Sequence, residues 1–285
     1  MDMYAIENAP KTQMQRSHSR GQLVVDAPNG RTQLQRLYQK DALKLRFPKN
    51  HIGQDLEGIL VNTSGGLAGG DSMSIQVSVQ KDADLTLTSQ ACERVYKSLG
   101  QDAVINLDFT VGDNASLVWA PQETILFNNA RLNRKLNVNL EESSRFLAIE
   151  AVIWGRELMG ETMQEGALQD SWRVHVEGQL IHAENLRLKG DVHAQLQAPV
   201  VANGGTATAT LLMVEKGCER HLEACREICE AAQGVTGGVS FWQVGPYAKL
   251  LIRLVGQTGY DLRKCVVQLV MQLSSNGVTP RVWSM

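Results

Sequence analysis

One pattern recurs three times in the middle of the chain, and it constrains the fold more than any other feature. The first copy is the alternating segment SMSIQVSVQ (72–80), a turn KDA, then DLTLTSQ. The second is AVINLDFTV (103–111), GDN and ASLVWAPQ, which ends 32 residues on when Gln90 is set against Gln122. The third is RKLNVNLEE (134–142), SS and RFLAIEAV, ending a further 30 residues on at Val152. Each copy reads as an alternating strand, a turn of short polar residues and a more apolar strand. Such a unit cannot bury its apolar face alone, so recurrence at this period implies stacking on its neighbours, as in β-helices and solenoid-like sheets. A β-sandwich also places turns every 8–12 residues or so, but two near-equal displacements favour stacked coils. The expected fold is mainly β, a stacked-sheet, β-helix-like body.

The segment after each second strand carries the chemistry. These clusters are SQACERVYK (89–97), PQETILF (121–127) and IEAVIWGRELMGE (149–161). In stacked coils they emerge at one end of successive rungs, about 5 Å apart. Gln90, Glu93, Arg94, Gln122, Glu123, Glu150 and Arg156 then share an edge. Glu150 stands out, because Ala148 and Val152 on its own face and Ile149 and Ala151 on the other are apolar. A carboxylate so placed needs a partner, a cation or a proton. Arg156 is its nearest candidate partner.

The stretch NTSGGLAGGDSMSIQVSV (62–79) has the glycine spacing of a phosphate loop, but Asp71 and Ser72 replace the Lys and Ser/Thr that such a loop needs. The alternation after it predicts a strand rather than the helix N-terminus that would face an anion. Nucleotide binding is therefore excluded here. Gly is expected at 65–70 because a sharp turn requires positive φ, with Asp71 presented at the coil edge.

The C-terminal third changes character. Residues 207–214 and 246–256 read as strands, Cys218 to Ala232 and Asp261 to Leu273 as helices. This predicts three segments: a flexible leader over 1–20, the β body over 21–206, and a C-terminal α/β layer with two helices over 207–285, in which the terminal TPRVWSM docks. Cys218, His221, Cys225 and Cys229 form one helical stripe. At 1.5 Å per residue the stripe runs about 16 Å, too long for one ion to touch all four. Core packing is the expected role, with a two- or three-ligand site as the alternative. The other histidines, His18, His51, His175, His182 and His193, show no HxH or HExxH spacing, and no GxSxG elbow occurs. A net charge of −2 leaves no footprint for nucleic acid or an anionic membrane. No apolar run approaches the length of about 20 residues that spans a bilayer. The first 20 residues lack an export signal, so the cytoplasm is the expected compartment.

The ordered set GRTQLQRLYQKDALKLRFP (30–48), SGGLAGGD (64–71), TSQACERVYKS (88–98), PQETILFNNAR (121–131), GRELMGE (155–161) and PRVWSM (280–285) resembles the urease accessory protein family UreD, also called UreH. The likeness runs from about Gly21 to the C-terminus, and the combination of GGLxGGD, PQETILF and GRxxxGE is specific. Cys92, Glu93 and Arg94 stand where relatives commonly show small residues and then Thr-Lys; Cys92 is not counted as a ligand, and a place for Glu93 in an ion route stays open. The resemblance implies a non-enzymatic chaperone that binds the urease subunits, UreF and the GTPase UreG, and handles nickel transiently without a tightly bound cofactor. It also implies an internal tunnel. On that reading Asp71, Glu123 and Glu150 are the expected nickel contacts, with Tyr96, Gln122, Arg156 and Glu161 as tunnel wall or support. Two other readings compete: a scaffold that never touches the metal, and a carbohydrate-active β-helix enzyme. Only 5% of the residues are aromatic, which is few for a sugar-binding groove.

Overall fold

Alternation of apolar and polar side chains sorts the strands into two facing sheets. The computed structural model describes residues 15–48, 56–275 and 277–284. It opens with β1 (His18–Asp26), β2 (Gln33–Lys40), β3 (Leu43–Arg46) and β4 (Leu56–Asn62). Successive coils then contain β5 (Ser72–Val79), β6 (Asp84–Ser89) and β7 (Glu93–Val95), followed by β8 (Ala103–Val111), β9 (Ser116–Trp119) and β10 (Thr124–Leu126), and by β11 (Arg131–Leu140) and β12 (Arg145–Arg156). The rest comprises β13 (Glu161–Thr162), β14 (Glu165–Val176), β15 (Gln179–Asp191), α1 (Val192–Gln197), β16 (Ala207–Val214), α2 (Leu222–Ala231), β17 (Val235–Val244), β18 (Tyr247–Gly256) and α3 (Gly259–Leu273).

The first sheet stacks β1, β5, β8, β11 and β14 in parallel, with β2 and β15 antiparallel at its two edges. The second stacks β4, β6, β9 and β12 in parallel. Short parallel pairings of β7, β10 and the end of β12 form a third side. The body is a β-solenoid of about four turns, as the repeat predicts. Ser72 lies opposite Val104 and Ala103 opposite Leu132, so consecutive coils are offset by 32 and then 29 residues.

The C-terminal strands do not make a layer of their own. β16, β18 and β17 join the second sheet antiparallel beyond β12, and the helices α2 and α3 cover that sheet's outer face. Two cores result. The inner one lies between the sheets and includes Phe109, Leu136 and Trp172 against Leu87, Leu117 and Phe146. The outer one packs Leu147, Ile149, Leu211 and Ile252 against Cys225, Cys229, Cys265 and Leu269. The cysteine stripe thus lies in apolar packing. The first expected helix starts as a 3-10 turn over Cys218–His221 and turns α-helical at Leu222.

Strand structure begins at His18, inside the expected leader, because β1 pairs with β5 and the Ser17 amide donates to Asp71 Oδ1 at 2.9 Å. Residues 1–14 of that leader, and His51, lie outside the described residues. The C-terminal turn docks on the second sheet. Trp283 is buried, its indole N–H donates to Thr88 Oγ1 at 3.2 Å, and the Arg263 guanidinium lies 5.1 Å from its ring centroid.

The glycine loop keeps its explanation with one change. Gly65, Gly66 and Gly70 have φ of 75°, 149° and 93°, whereas Gly69 is not among the positive-φ residues. Gly69 is required by close approach, since a Cβ there would collide with the Gln101 carbonyl oxygen and the Ser98 hydroxyl. Gly69→Val should lower stability by about 1–3 kcal/mol, the usual range for forced overpacking. A denaturant titration that gives the parent midpoint would refute the close approach.

Candidate functional site

Four neighbouring strands of the first sheet contribute one inward row: Met73, Ile105, Arg134 and Asp170. The alternation puts Arg134 in phase with Leu132, Leu136 and Val138, and Asp170 in phase with Leu168, Trp172 and Val174. From the second sheet Glu150 faces them. The Arg134 guanidinium bridges the two acids, one amino group on Glu150 Oε2 and the other 2.5 Å from Asp170 Oδ2. Each acid also accepts from an indole, Glu150 Oε1 from Trp119 Nε1 at 2.8 Å and Asp170 Oδ1 from Trp172 Nε1 at 3.0 Å. The three charged side chains are only 3%, 4% and 8% exposed, so water does not solvate them appreciably. Burial pushes the Glu150 carboxyl up to about 7, against the downward pull of Arg134. Burial also opposes the charge on Arg134, but Asp170 and Glu150 outweigh it and hold the guanidinium protonated. Removing one member of such a set typically costs about 3–5 kcal/mol, because a buried charge is left unpaired.

A cavity of about 190 Å³ reaches this triad from the surface. Trp119, Arg134 and Glu150 form part of its buried wall, and the exposed residues Gly65, Gln90 and Arg94 mark its mouth. The volume admits several waters. Between mouth and inner wall lie Asn62, Cys92, Glu93 and Gln122. Asn62 Nδ2 donates to both Glu93 oxygens, at 3.0 and 3.2 Å, and burial pushes this carboxyl up to about 7. Cys92 donates to Glu123 Oε2 at 3.3 Å, and burial pushes its thiol up to about 12. It therefore stays a neutral thiol at pH 7.

The residues singled out in the sequence fall into separate groups. Glu150 and Gln122 line the cavity; Asp71, Glu123, Tyr96, Arg156 and Glu161 do not form part of its wall. Glu123 accepts from Arg263 at 2.8 Å, as does Gln122, whose amide also donates to the Val282 carbonyl at 3.3 Å. These two residues thus anchor α3 and the C-terminal turn. Asp71 caps the glycine turn, its Oδ2 accepting from the Ala68 amide at 2.7 Å. Tyr96 donates to the Gly65 carbonyl at 2.8 Å and meets Phe127 edge-on, at 5.0 Å between centroids. The Arg156 guanidinium lies 4.2 Å from the centroid of that Phe127 ring, and its Nε is 2.5 Å from Glu161 Oε2.

The expected Glu150–Arg156 pair does not form. Gly155 has φ of 102°, which breaks the strand alternation and turns Arg156 outward to Glu161. Arg134 takes its place. Arg134 and Asp170 are the residues that sequence reasoning missed, although both interrupt the apolar phase of an alternating strand, which is a readable signal. Among the described residues, no set of three or more His, Cys, Asp or Glu side chains is placed to hold a metal ion. Burial pushes the Cys218 thiol up to about 11 and that of Cys225 up to about 12.

Comparison with known proteins bears on this arrangement. The family described as UreD urease accessory protein matches residues 17–284. A protein of Brucella suis (strain ATCC 23445 / NCTC 10510) named urease accessory protein UreD is 44% identical over 271 residues, covering 95% of each chain. Another of that name, from Chelativorans sp. (strain BNC1), is 40% identical over 284 residues and the full length of both chains.

Glu93 makes the site pH-sensitive. Its carboxyl rises from 4.5 to about 7 on folding, so between these values the folded chain holds a proton that the unfolded chain has released. Its contribution is fully present below pH 4.5 and is lost as pH rises through 7. Glu93→Gln removes that contribution, so the melting temperature of the parent should fall relative to the variant between about pH 5 and pH 8. Parallel pH profiles for the two proteins would refute the assignment.

Proposed function

The chain belongs to the UreD urease accessory protein family, and on that premise we propose that it is a non-enzymatic nickel-insertion chaperone for urease. It binds apo-urease together with the accessory proteins UreF and UreG, and passes nickel(II) through its interior toward the urease active site. The observation that supports passage is the cavity of about 190 Å³ that ends on Glu150 and carries Glu93 nearer its mouth.

The chemistry of these groups suits cargo rather than a resident ion. Nickel(II) accepts oxygen and nitrogen ligands, whereas clustered thiolates would hold it too firmly to release. Transit requires contacts strong enough to admit an ion and weak enough to let it go. Glu93 accepts from Asn62, and Glu150 from Trp119 and Arg134, so each carboxylate already shares its oxygens with a donor in place and would bind an ion reversibly. Gln122 contributes wall, Glu123 and Arg263 hold the C-terminal turn beside it, and Asp71 shapes the loop near the mouth. Tyr96, Arg156 and Glu161 support the same edge from outside. No catalytic residue is assigned, and the glycine loop lacks what a nucleotide requires. Among the described residues no helix is long and apolar enough to cross a membrane.

One observation favours a scaffold that never touches the metal: Glu150 already has a guanidinium and an indole as partners. The two readings separate on Glu150→Gln, which keeps an acceptor for Trp119, co-expressed with urease and the other accessory proteins. Passage predicts an intact complex whose urease carries several-fold less nickel and activity. An intact complex with full nickel loading would take Glu150 out of the route.

A further inference from the structure

Resting on the nickel-passage reading, we infer that Arg134 is the positioning residue that keeps the interior carboxylates weak: it is a built-in counter-cation that nickel must displace from Glu150 and that reclaims the carboxylate on release. Four observations carry this. Arg134 and Glu150 stand side by side in the cavity wall, whereas Asp170 is not part of that wall. The guanidinium therefore lies between the open space and the second acid. Among the described residues its Nε has no hydrogen-bond partner although the side chain is 3% exposed, so its two amino groups alone hold it, on Glu150, on Asp170 and, at 3.4 Å, on Thr124. Each acid keeps an indole donor that does not depend on Arg134, so both carboxylates remain oriented when the guanidinium swings away. Two acids against one base leave the triad with an excess negative charge when all three are ionised, which draws cations inward.

An ion arriving from the mouth meets Glu150 only by competing with Arg134. A competitor in place for nine-tenths of the time lowers apparent affinity about tenfold. Arg suits this role better than Lys, because its planar fork spans two carboxylates at once. Without it, no fixed positive charge would stand beside Glu150, and an ion bound there would be held longer. The consequence is specific: removing a positive charge should tighten metal binding and at the same time impair delivery.

The test is nickel(II) titration of the purified chain by calorimetry. Arg134→Met combined with Asp170→Asn removes one charge of each sign, which keeps the net charge of the triad and leaves no second unpaired acid. This variant should bind nickel about tenfold more tightly than the parent, as expected if the competitor was in place nine-tenths of the time. Adding Glu150→Gln should abolish the gain. In co-expression the double variant should retain nickel while urease is under-loaded. Affinity equal to or weaker than the parent's, or a gain that survives Glu150→Gln, would overturn the role of Arg134. If the double variant does not fold, Arg134→Gln combined with Asp170→Asn carries the same test, with tighter binding expected and unchanged binding fatal to the inference. The passage reading stands or falls separately: if Glu150→Gln alone leaves urease fully loaded, passage fails. If that substitution matters and the Arg134 variants bind no tighter, only the counter-cation role fails.

Discussion

A stack of parallel coils has an interior screened from bulk solvent, and any charge placed there must find its partner inside. That constraint organises this molecule. Arg134 sits in a row whose neighbours are Met73 and Ile105, and its compensation comes from Asp170 on the next strand and Glu150 on the facing sheet. One bridge of charge therefore ties β11, β14 and β12 across the gap between the sheets. The indoles of Trp119 and Trp172 complete it from either side, each directing its single N–H to one acid.

The second core explains why the body stops where it does. The coils leave the outer face of the second sheet apolar through Val118, Leu147 and Ile149, and such a face has to be covered. The helices α2 and α3 cover it, and Arg263 on α3 fastens the cover by reaching Gln122, Glu123 and the Trp283 carbonyl at once. Gln122 faces the cavity and holds this clasp as well, so the mouth region and the C-terminal turn are mechanically joined.

Much of this was legible in the sequence, and the rest was hidden for physical reasons. Strand alternation and the recurring turn revealed the stacked coils, because a period of two and a period near 30 are both local regularities. The isolation of Glu150 among apolar neighbours was visible for the same reason. Its partner was not, because sequence proximity suggested Arg156, and only Gly155 at φ 102° shows that Arg156 has left the strand's face. Arg134 is 16 positions away in sequence but directly across the gap in space. Glu123 illustrates the opposite limit. Its place beside Glu150's coil was readable, but the pairing with Arg263 spans 140 positions, and no local pattern announces it. The strands β15 and β17 carry weaker alternation and became clear only through their pairings.

Stability alone does not account for the triad. Buried ion pairs are poor stabilisers, and replacing one by well-packed apolar side chains of equal volume is often neutral or favourable by about 1–4 kcal/mol. The rest of the row is already apolar, so apolar residues at 134, 150 and 170 together would complete a drier and tighter core. Specifying strand order does not demand it either, since turn chemistry and the inward phase of each strand already set the register. What an apolar row could not do is present ionisable oxygen to water inside the fold. The structure does this with Glu150, beside a guanidinium that can neutralise it and below a second carboxylate, Glu93, whose proton affinity lies near neutrality. The proposed passage of nickel(II) accounts for a charge kept where it stabilises little, at the end of the space that reaches it from solvent.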